Sequence, residues 1–564
     1  MEPTSYLRER EDLEQCQDQE VCSPISELRN VWLYTKNPPK WIDQIVDIKT
    51  RSDFVIKNTA LNCHTESKNF VPTSRLDRQS TPRTLVCHDM KGGYTEDKFV
   101  ESVNMGNCYT FYRWSQIDIF VYFSHHLITI PPLSWINAAH NNGVKILGTF
   151  ITEWEPGKAI CEEIFASSKT LTKFINILVE ISVLFKLDGW LLNIENTLDD
   201  TGPLKTLVKQ LTEKIHIKRP GSMIIWYDSV IDDGKLKWQN ELNLKNRCYF
   251  DECDGIFLNY SWKEENLLNT VQAAEHRRHD VYVGVDVFGR NFYGGGNFNT
   301  YLAVEKIREH NLSIAIFAQG WTHETLDPEP ADTLLERFLI RDNAFWKSLW
   351  PYLYTHPINT LFETFFYVGV DKNWYKLESQ QVQLSQFLHS YEKLIEAKNV
   401  STLDGACICL QLYFEEPYTM CLITNQALKM DETYIHHLFS CDIQISSPVI
   451  LYSYMKQLNA CRVESENDYF NIVVFARTGG GSLKKIVCYA DNQKELSNNL
   501  TLLELNYSQE ESVINLVSSK HKVPADWILR CYVLDIKNIF ITDVGAIIRS
   551  NSCVGLCGIG ITGT

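Results

Sequence analysis

From residue 84 onward the chain alternates short apolar runs with longer segments of helical spacing. The runs are rich in β-branched or aromatic residues, and each ends in polar or aromatic ones. They are Thr84–Asp89, Ile117–His126, Val144–Trp154, Gly189–Asn196, Met223–Ser229, Gly255–Trp262, Val281–Phe288 and Ile314–Trp321. Between them, segments such as Leu171–Phe185 and Leu204–Ile215 repeat apolar residues at helical intervals. Strands alternating with helices predict βαβ units and a parallel sheet. Eight units in roughly 240 residues match an α/β fold of the (β/α)8 TIM-barrel type. The alternative, an open doubly wound sheet, lacks support because no Gly-rich dinucleotide fingerprint follows the first strand. Gly294-Gly295-Gly296 and Gly479-Gly480-Gly481 lack the Gly-Lys-Ser/Thr ending of a phosphate loop and read as turns.

The flanks have a different texture. Residues 1–80 are polar, with the first twenty or so expected to be disordered. Trp32, Trp41 and Phe54-Val55-Ile56 are expected to pack on the body of the protein. Residues 331–356 read as a helix followed by an aromatic packing segment, which ends the barrel. From about 357 the helical period fades. Ala406–Phe414, Ser447–Tyr454, Phe470–Arg477, Ser482–Tyr489 and Trp527–Asp535 alternate or are β-rich, as in an antiparallel β-sandwich. The expected organisation is an N-terminal extension over 1–80, a barrel over 81–356 and a sandwich region over 357–564.

Composition narrows the partners. The 564 residues are 44% hydrophobic and 22% charged, as in a globular protein. With 54 basic against 70 acidic residues the net charge is −16, which disfavours nucleic acid or an anionic membrane as main partner. Met1–Glu20 has no apolar core of a secretory signal, and no apolar run of about 18 residues could span a membrane. The 17 cysteines are odd in number and scattered. Cys87, Cys407, Cys409 and Cys488 sit in apolar runs, as expected of buried thiols in a reducing cytosol. Cys16/Cys22 and Cys553/Cys557 lack zinc-site spacing, so no metal is expected. A cytoplasmic monomer without cofactor is the expectation.

The chemistry gathers at the strand ends, where (β/α)8 enzymes carry their active sites. Candidates there are His88, Asp89, Tyr122, Ser124, His125, His126, Glu153, Trp154, Glu155, Asn193, Glu195, Trp226, Tyr227, Asp228, Asn259, Tyr260, Trp262, Asp286, Gln319 and Trp321. Adjacent His125 and His126 point to opposite faces of a strand and read as structural. In the fourth run Asn193 and Glu195 share a face, roughly 7 Å apart along the backbone. Leu192 and Ile194 point the other way, suited to covering by helices. Glycoside hydrolysis usually takes two carboxyls, but the partner of Glu195 is a neutral amide. That suits a substrate-assisted route, in which the substrate's own 2-acetamido oxygen attacks the anomeric carbon. Asn193 would hold the acetamido group, and Glu195 would act as general acid and then base, which calls for a raised pKa.

The run Asp188-Gly189-Trp190-Leu191-Leu192-Asn193-Ile194-Glu195-Asn196 resembles the catalytic segment of family 85 of the glycoside hydrolases, the endo-β-N-acetylglucosaminidases. The resemblance continues through His88–Tyr94, Ile117–His126, Leu147–Trp154, Trp226–Val230, Leu236–Asn243 and Val283–Phe288, in the family's order. It implies cleavage between the two core GlcNAc residues of N-glycans, free or on glycoproteins, by a retaining mechanism through an oxazolinium intermediate. Transglycosylation to a GlcNAc acceptor is part of that expectation. By the same resemblance Tyr227 matches a tyrosine near the reacting centre, and Trp238 and Trp262 match aromatic walls of the glycan groove. Trp154, Asn259, Asp286 and Trp321 are further substrate-site candidates. One departure stands out: Phe317-Ala318-Gln319-Gly320-Trp321 has Gln319 where proline is expected, which bears on glycan preference. Two other readings are a chitinase-like hydrolase, which would usually carry Asp in place of Asn193, and a non-catalytic glycan-binding protein on the same barrel. The sandwich could buttress the barrel or bind glycan.

Overall fold

The computed structural model describes residues 20–58, 66–67, 74–100, 108–330, 334–364, 369–370, 373–374, 406–411, 419–424, 433–457, 470–490, 492, 495–520, 527–549 and 553–564. The expected disorder of the first residues concerns 1–19, which lie outside the described residues.

The eight apolar runs all form strands of one closed sheet. They are β1 (Thr84–His88), β2 (Ile119–Tyr122), β3 (Lys145–Glu153), β4 (Gly189–Glu195), β5 (Met223–Tyr227), β6 (Gly255–Leu258), β7 (Val281–Asp286) and β8 (Ser313–Phe317). Neighbours pair in parallel around the ring, and β8 closes on β1 with Ile314 opposite Thr84. A short antiparallel strand, Ile128–Thr129, pairs with β3. Helices α1 (Leu133–Asn141), α2 (Trp154–Phe165), α3 (Ser168–Leu184), α4 (Gly202–Lys218), α5 (Glu264–Ala274), α6 (Thr300–Glu309) and α7 (Leu334–Leu349) follow in order. The helix Leu171–Phe185 read from the sequence is α3, which begins earlier because Ser167 caps it through the Thr170 N–H.

The period of two in each strand builds two cores. Inward residues, including Leu85, Val121, Leu147, Leu191, Ile225, Phe257 and Ala315, fill the barrel. Outward residues, including Leu192 and Ile194, pack among α3 residues such as Phe174 and Leu178 and α4 residues such as Leu207. Trp190 also faces outward, and its Nε1–H donates to Ser182 Oγ at 2.7 Å. Space for that indole comes from Gly148, where a Cβ would lie 2.8 Å from the ring.

The lower rim is stitched by polar side chains. Asp188 accepts from the Ile146 N–H (2.9 Å), His140 Nε2 (2.9 Å) and Arg219 Nη2 (3.1 Å). Arg51, from the N-terminal extension, donates to the carbonyls of Asn142, Ile117 and Trp114 at 2.7, 2.6 and 2.7 Å. Trp32 packs edge-on to Phe174 and Trp41 to Phe185, at 6.0 and 5.1 Å between ring centroids.

Two six-stranded sheets share a second core that includes Leu451, Leu534 and Ile559 from one sheet and Phe439, Val474 and Ile541 from the other. Among the strands of these sheets that are described, the pairing is antiparallel except between Leu483–Cys488 and Leu502–Leu505, which run parallel. Glu66–Ser67 of the extension joins one sheet and Phe362–Thr364 the other. Arg75 fastens the extension to this region, donating to the carbonyls of Cys441 and Thr542 at 2.7 and 2.6 Å.

Gly189 opens β4 at φ +142°, and a Cβ there would lie 1.7 Å from the Met223 carbonyl oxygen. Gly189→Ala is therefore expected to destabilise the protein by upwards of about 1 kcal/mol, read as a lowered midpoint in chemical denaturation. A midpoint equal to the parent's would show that β4 tolerates a side chain there.

Candidate active site

At the open end of the barrel, β4 presents Leu191, Asn193 and Glu195 inward in succession. The first completes the apolar filling and the other two face the mouth. Asn193 Nδ2 donates to Glu195 Oε1 at 3.2 Å. The amide's other end, Oδ1, is buried and has no hydrogen-bond donor within reach among the described residues. Glu195 is partly buried. Burial raises its pKa, the Asn193 amide opposes that, the Glu153 carboxylate raises it further and His125 opposes. Glu153 sits directly opposite Glu195 on β3. Its carboxylate is held by His125 Nδ1 at 2.9 Å.

Tyr227, at the end of β5, donates from its hydroxyl to Asn259 Oδ1 at 3.0 Å, and burial holds that phenol well above its ordinary pKa. Asn259 Nδ2 in turn donates to Asn240 Oδ1 at 2.7 Å. Asn240 belongs to the loop 236–243 and takes a left-handed backbone, φ +59°. Buried Asp228 holds this loop, accepting from the N–H groups of Gln239 (3.0 Å) and Asn240 (2.7 Å) and from Asn246 Nδ2 (3.0 Å). Burial pushes Asp228 up to about 6 despite those donors. The loop carries Trp238, which is exposed.

Trp154 stands at the rim, 70% exposed and at φ +53°. Asn196 pins it by donating to its carbonyl at 2.7 Å, and the indole stacks on His125 at 6.3 Å and 24°. Aromatic faces open to solvent at the mouth of a cleft suit the apolar faces of a sugar ring.

Other expected site residues are placed differently. Trp262 is 3% exposed, its Nε1 donates to the Gly284 carbonyl at 2.8 Å, and its ring stacks on Tyr293. It therefore packs behind the mouth instead of lining it. Asp286 is fully buried and accepts from the Arg290 N–H, Nε and Nη2 at 2.9, 3.0 and 3.1 Å. It positions Arg290, a 57% exposed cation that the sequence reading did not single out. Trp321 is buried under the Arg341 guanidinium, 3.9 Å from its ring. Gln319 is buried as well, with Nε2 at 2.9 Å from His88 Nδ1, so it ties the end of β8 to β1. Among the described residues no group of three or more His, Cys, Asp or Glu is placed to hold a metal. Nor is any described helix long and apolar enough to cross a membrane.

Comparison with known proteins converges on one family. The model of glycosyl hydrolase family 85 matches residues 93–375. A cytosolic endo-beta-N-acetylglucosaminidase of Gallus gallus is 46% identical over 318 residues, 54% of this chain and 43% of that protein. That of Homo sapiens is 45% identical over 318 residues, 54% of this chain and 42% of that protein. Cytosolic endo-beta-N-acetylglucosaminidase 2 of Arabidopsis thaliana is 37% identical over 447 residues, 73% of this chain and 62% of that protein. In both vertebrate proteins the matched stretch is less than half their length. The glycoside hydrolase domain of Endo-D from Streptococcus pneumoniae R6 shares the fold, with a TM-score of 0.63 at 14% identity over 96% of this chain and 83% of that one.

Asp228→Ala would orphan the Gln239 and Asn240 amides. The expected cost is about 1–3 kcal/mol in chemical denaturation, with limited proteolysis cutting first within 236–243. An unchanged cleavage pattern would show that the loop is held by other contacts.

Proposed function

The chain belongs to glycosyl hydrolase family 85, and from that premise we propose that it is an endo-β-N-acetylglucosaminidase of the cytosol. Its substrate is an N-glycan, free or on a glycoprotein, and the bond cut is the β-1,4 link between the two core GlcNAc residues. The observation that carries this reading is the Asn193–Glu195 pair: an acid with a raised pKa beside a neutral amide whose acceptor oxygen has no partner among the described residues.

An acetamido N–H needs a carbonyl acceptor, and Asn193 Oδ1 offers one. Held so, the acetamido oxygen lies on the far side of the anomeric carbon from the leaving sugar. It attacks that carbon while the glycosidic C–O bond breaks. Glu195 gives its proton to the departing oxygen. The oxazolinium ion spreads its charge onto the acetamido nitrogen, whose N–H then binds Asn193 more strongly than in the ground state. Glu195, now a carboxylate, takes a proton from the incoming water, which opens the ring with net retention. A GlcNAc hydroxyl in place of that water gives transglycosylation. Tyr227, fixed by Asn259, lies beside Glu195 and positions the reacting sugar. Trp154 and Trp238 supply exposed aromatic faces at the rim.

The first experiment is incubation with a high-mannose glycopeptide and, separately, chitin oligomers, followed by mass spectrometry. Peptide bearing one GlcNAc, with the released glycan ending in one GlcNAc, is the expected product. Cleavage of chitin oligomers alone would favour a chitinase-like enzyme, and binding without turnover a glycan-binding protein. Glu195→Gln should abolish cleavage. Asn193→Ala should lose cleavage of the glycopeptide yet turn over a preformed sugar oxazoline; wild-type cleavage by that variant would remove Asn193 from the mechanism.

The two half-reactions also differ in pH dependence. Glycopeptide cleavage needs protonated Glu195 and should fall as pH rises through its raised pKa. Reaction of a preformed oxazoline needs the carboxylate and should fall as pH drops through the same pKa. Parallel limbs for both donors would contradict the dual role of Glu195.

A further inference from the structure

His125 and Glu153 have a built geometry that the chemistry above does not use. Glu153 ends β3 directly opposite Glu195, with both side chains at the inner, upper face of the barrel. Its Oε2 lies 2.9 Å from His125 Nδ1. His125 is itself fixed from three sides. Its N–H donates to the Gly92 carbonyl at 3.3 Å, its ring meets Phe123 edge-on at 5.3 Å, and Trp154 stacks on its outer face.

The loop beneath it is shaped for that purpose. Lys91, Gly92, Gly93 and Tyr94 all have positive φ. At Gly93 a Cβ would lie 2.4 Å from the Ser124 Cβ, so the loop sits flush on the residues that carry His125. Tyr94 locks the arrangement, its hydroxyl donating to the Ile130 carbonyl at 2.6 Å and accepting from the Ile130 N–H at 2.8 Å. Left-handed backbone in non-glycine residues is costly, and such strain persists where the surroundings enforce it.

We propose that His125 and Glu153 act as a positioning pair whose combined charge governs the protonation of Glu195. This rests on the reading of Glu195 as acid/base. Alone, the Glu153 carboxylate beside Glu195 would favour the protonated acid strongly and resist its ionisation later in the cycle. The His125 imidazolium offsets that. Glu195 therefore feels a small residual negative charge, enough to keep a proton for the first step without blocking the second. The Glu153 contact favours the charged imidazole, and at 44% exposed its charge remains partly solvated. Other groups facing Glu195 are Asn193 from its own strand, Tyr227 from β5 and Tyr260 after β6, the latter two with phenols that burial keeps neutral. Asp89 after β1 also acts on His125, and Arg290 after β7 acts on Asp89 and Tyr260.

The test is the pH dependence of kcat/KM for glycopeptide cleavage in the parent, His125→Gln, Glu153→Gln and the double variant. Removing the imidazolium bares Glu153, so the alkaline limb should move up by roughly half a unit to one unit. Removing Glu153 should move it down by a similar amount. The double variant should return towards the parent, a coupling that loss of packing would not produce. Should a variant turn over too slowly, 13C NMR of the Glu195 carboxyl, assigned by its absence in Glu195→Gln, reads the same shifts. Coincident limbs, or shifts of one sign, in a parent that cleaves would overturn the pair's role and leave the proposed function standing. A parent that does not cleave would overturn both.

Discussion

Everything at the mouth depends on the closure of a parallel sheet into a ring. In a closed barrel each side chain of a strand points into the filling or out to the helices. On β4 that alternation sends Leu192 and Ile194 outward and Leu191, Asn193 and Glu195 inward. The interior below is filled by apolar side chains, so an amide and a carboxyl at its upper end face a low dielectric on one side and the mouth on the other. That asymmetry raises the pKa of Glu195 and leaves its carboxyl only partly buried. It also keeps Asn193 within reach of it, since residues two apart on a strand cannot diverge.

Around this pair the polar groups divide by duty. Some are spent on the scaffold: Asp228 on the loop 236–243, Asp286 on Arg290, Asn196 on the backbone of Trp154. Each is buried: the two aspartates accept from donors on the chain that follows them, and Asn196 donates to a neighbouring carbonyl. Others keep something in reserve: Asn193 Oδ1 is buried without a partner among the described residues, and the indoles of Trp154 and Trp238 and the side chain of Arg290 are exposed. Precision at the remaining groups comes from the bonds that fix these three.

The strands were legible because burial on both faces leaves continuous apolar runs, and all eight began within two residues of where the pattern places them. Their C-terminal ends were read too long. Residues such as Asp89, His125, Asn259 and Trp262 still look strand-like in sequence but have already turned into loops. Roles were harder to read than positions. Asp286 and Trp262 have the residue types of a sugar site, yet each satisfies its polar atoms within the protein, and hydrogen-bond partners distant in sequence leave no local mark. Arg290 was invisible for the same reason, being defined by Asp286 beneath it. Asn240 lay within a segment read as family-like, but its link to Tyr227 through Asn259 exists only once β5 and β6 are side by side. In the C-terminal region Thr433–Ile445, Ile539–Arg549 and Cys553–Gly563 escaped notice because glycine and polar residues interrupt their alternation.

Arg51 and Arg75 belong to a stretch that sequence texture assigns to a polar extension, yet one closes the barrel's lower rim and the other grips the C-terminal sheets. The strand Phe54–Lys57 between them pairs with Tyr354–Thr355, at the far end of the barrel segment. The piece of gene that recombination could transplant as a working whole is therefore wider than the eight βα units. It must bring along its own upstream strap, and a lineage that shed that strap would have to reinvent partners for three barrel carbonyls at once.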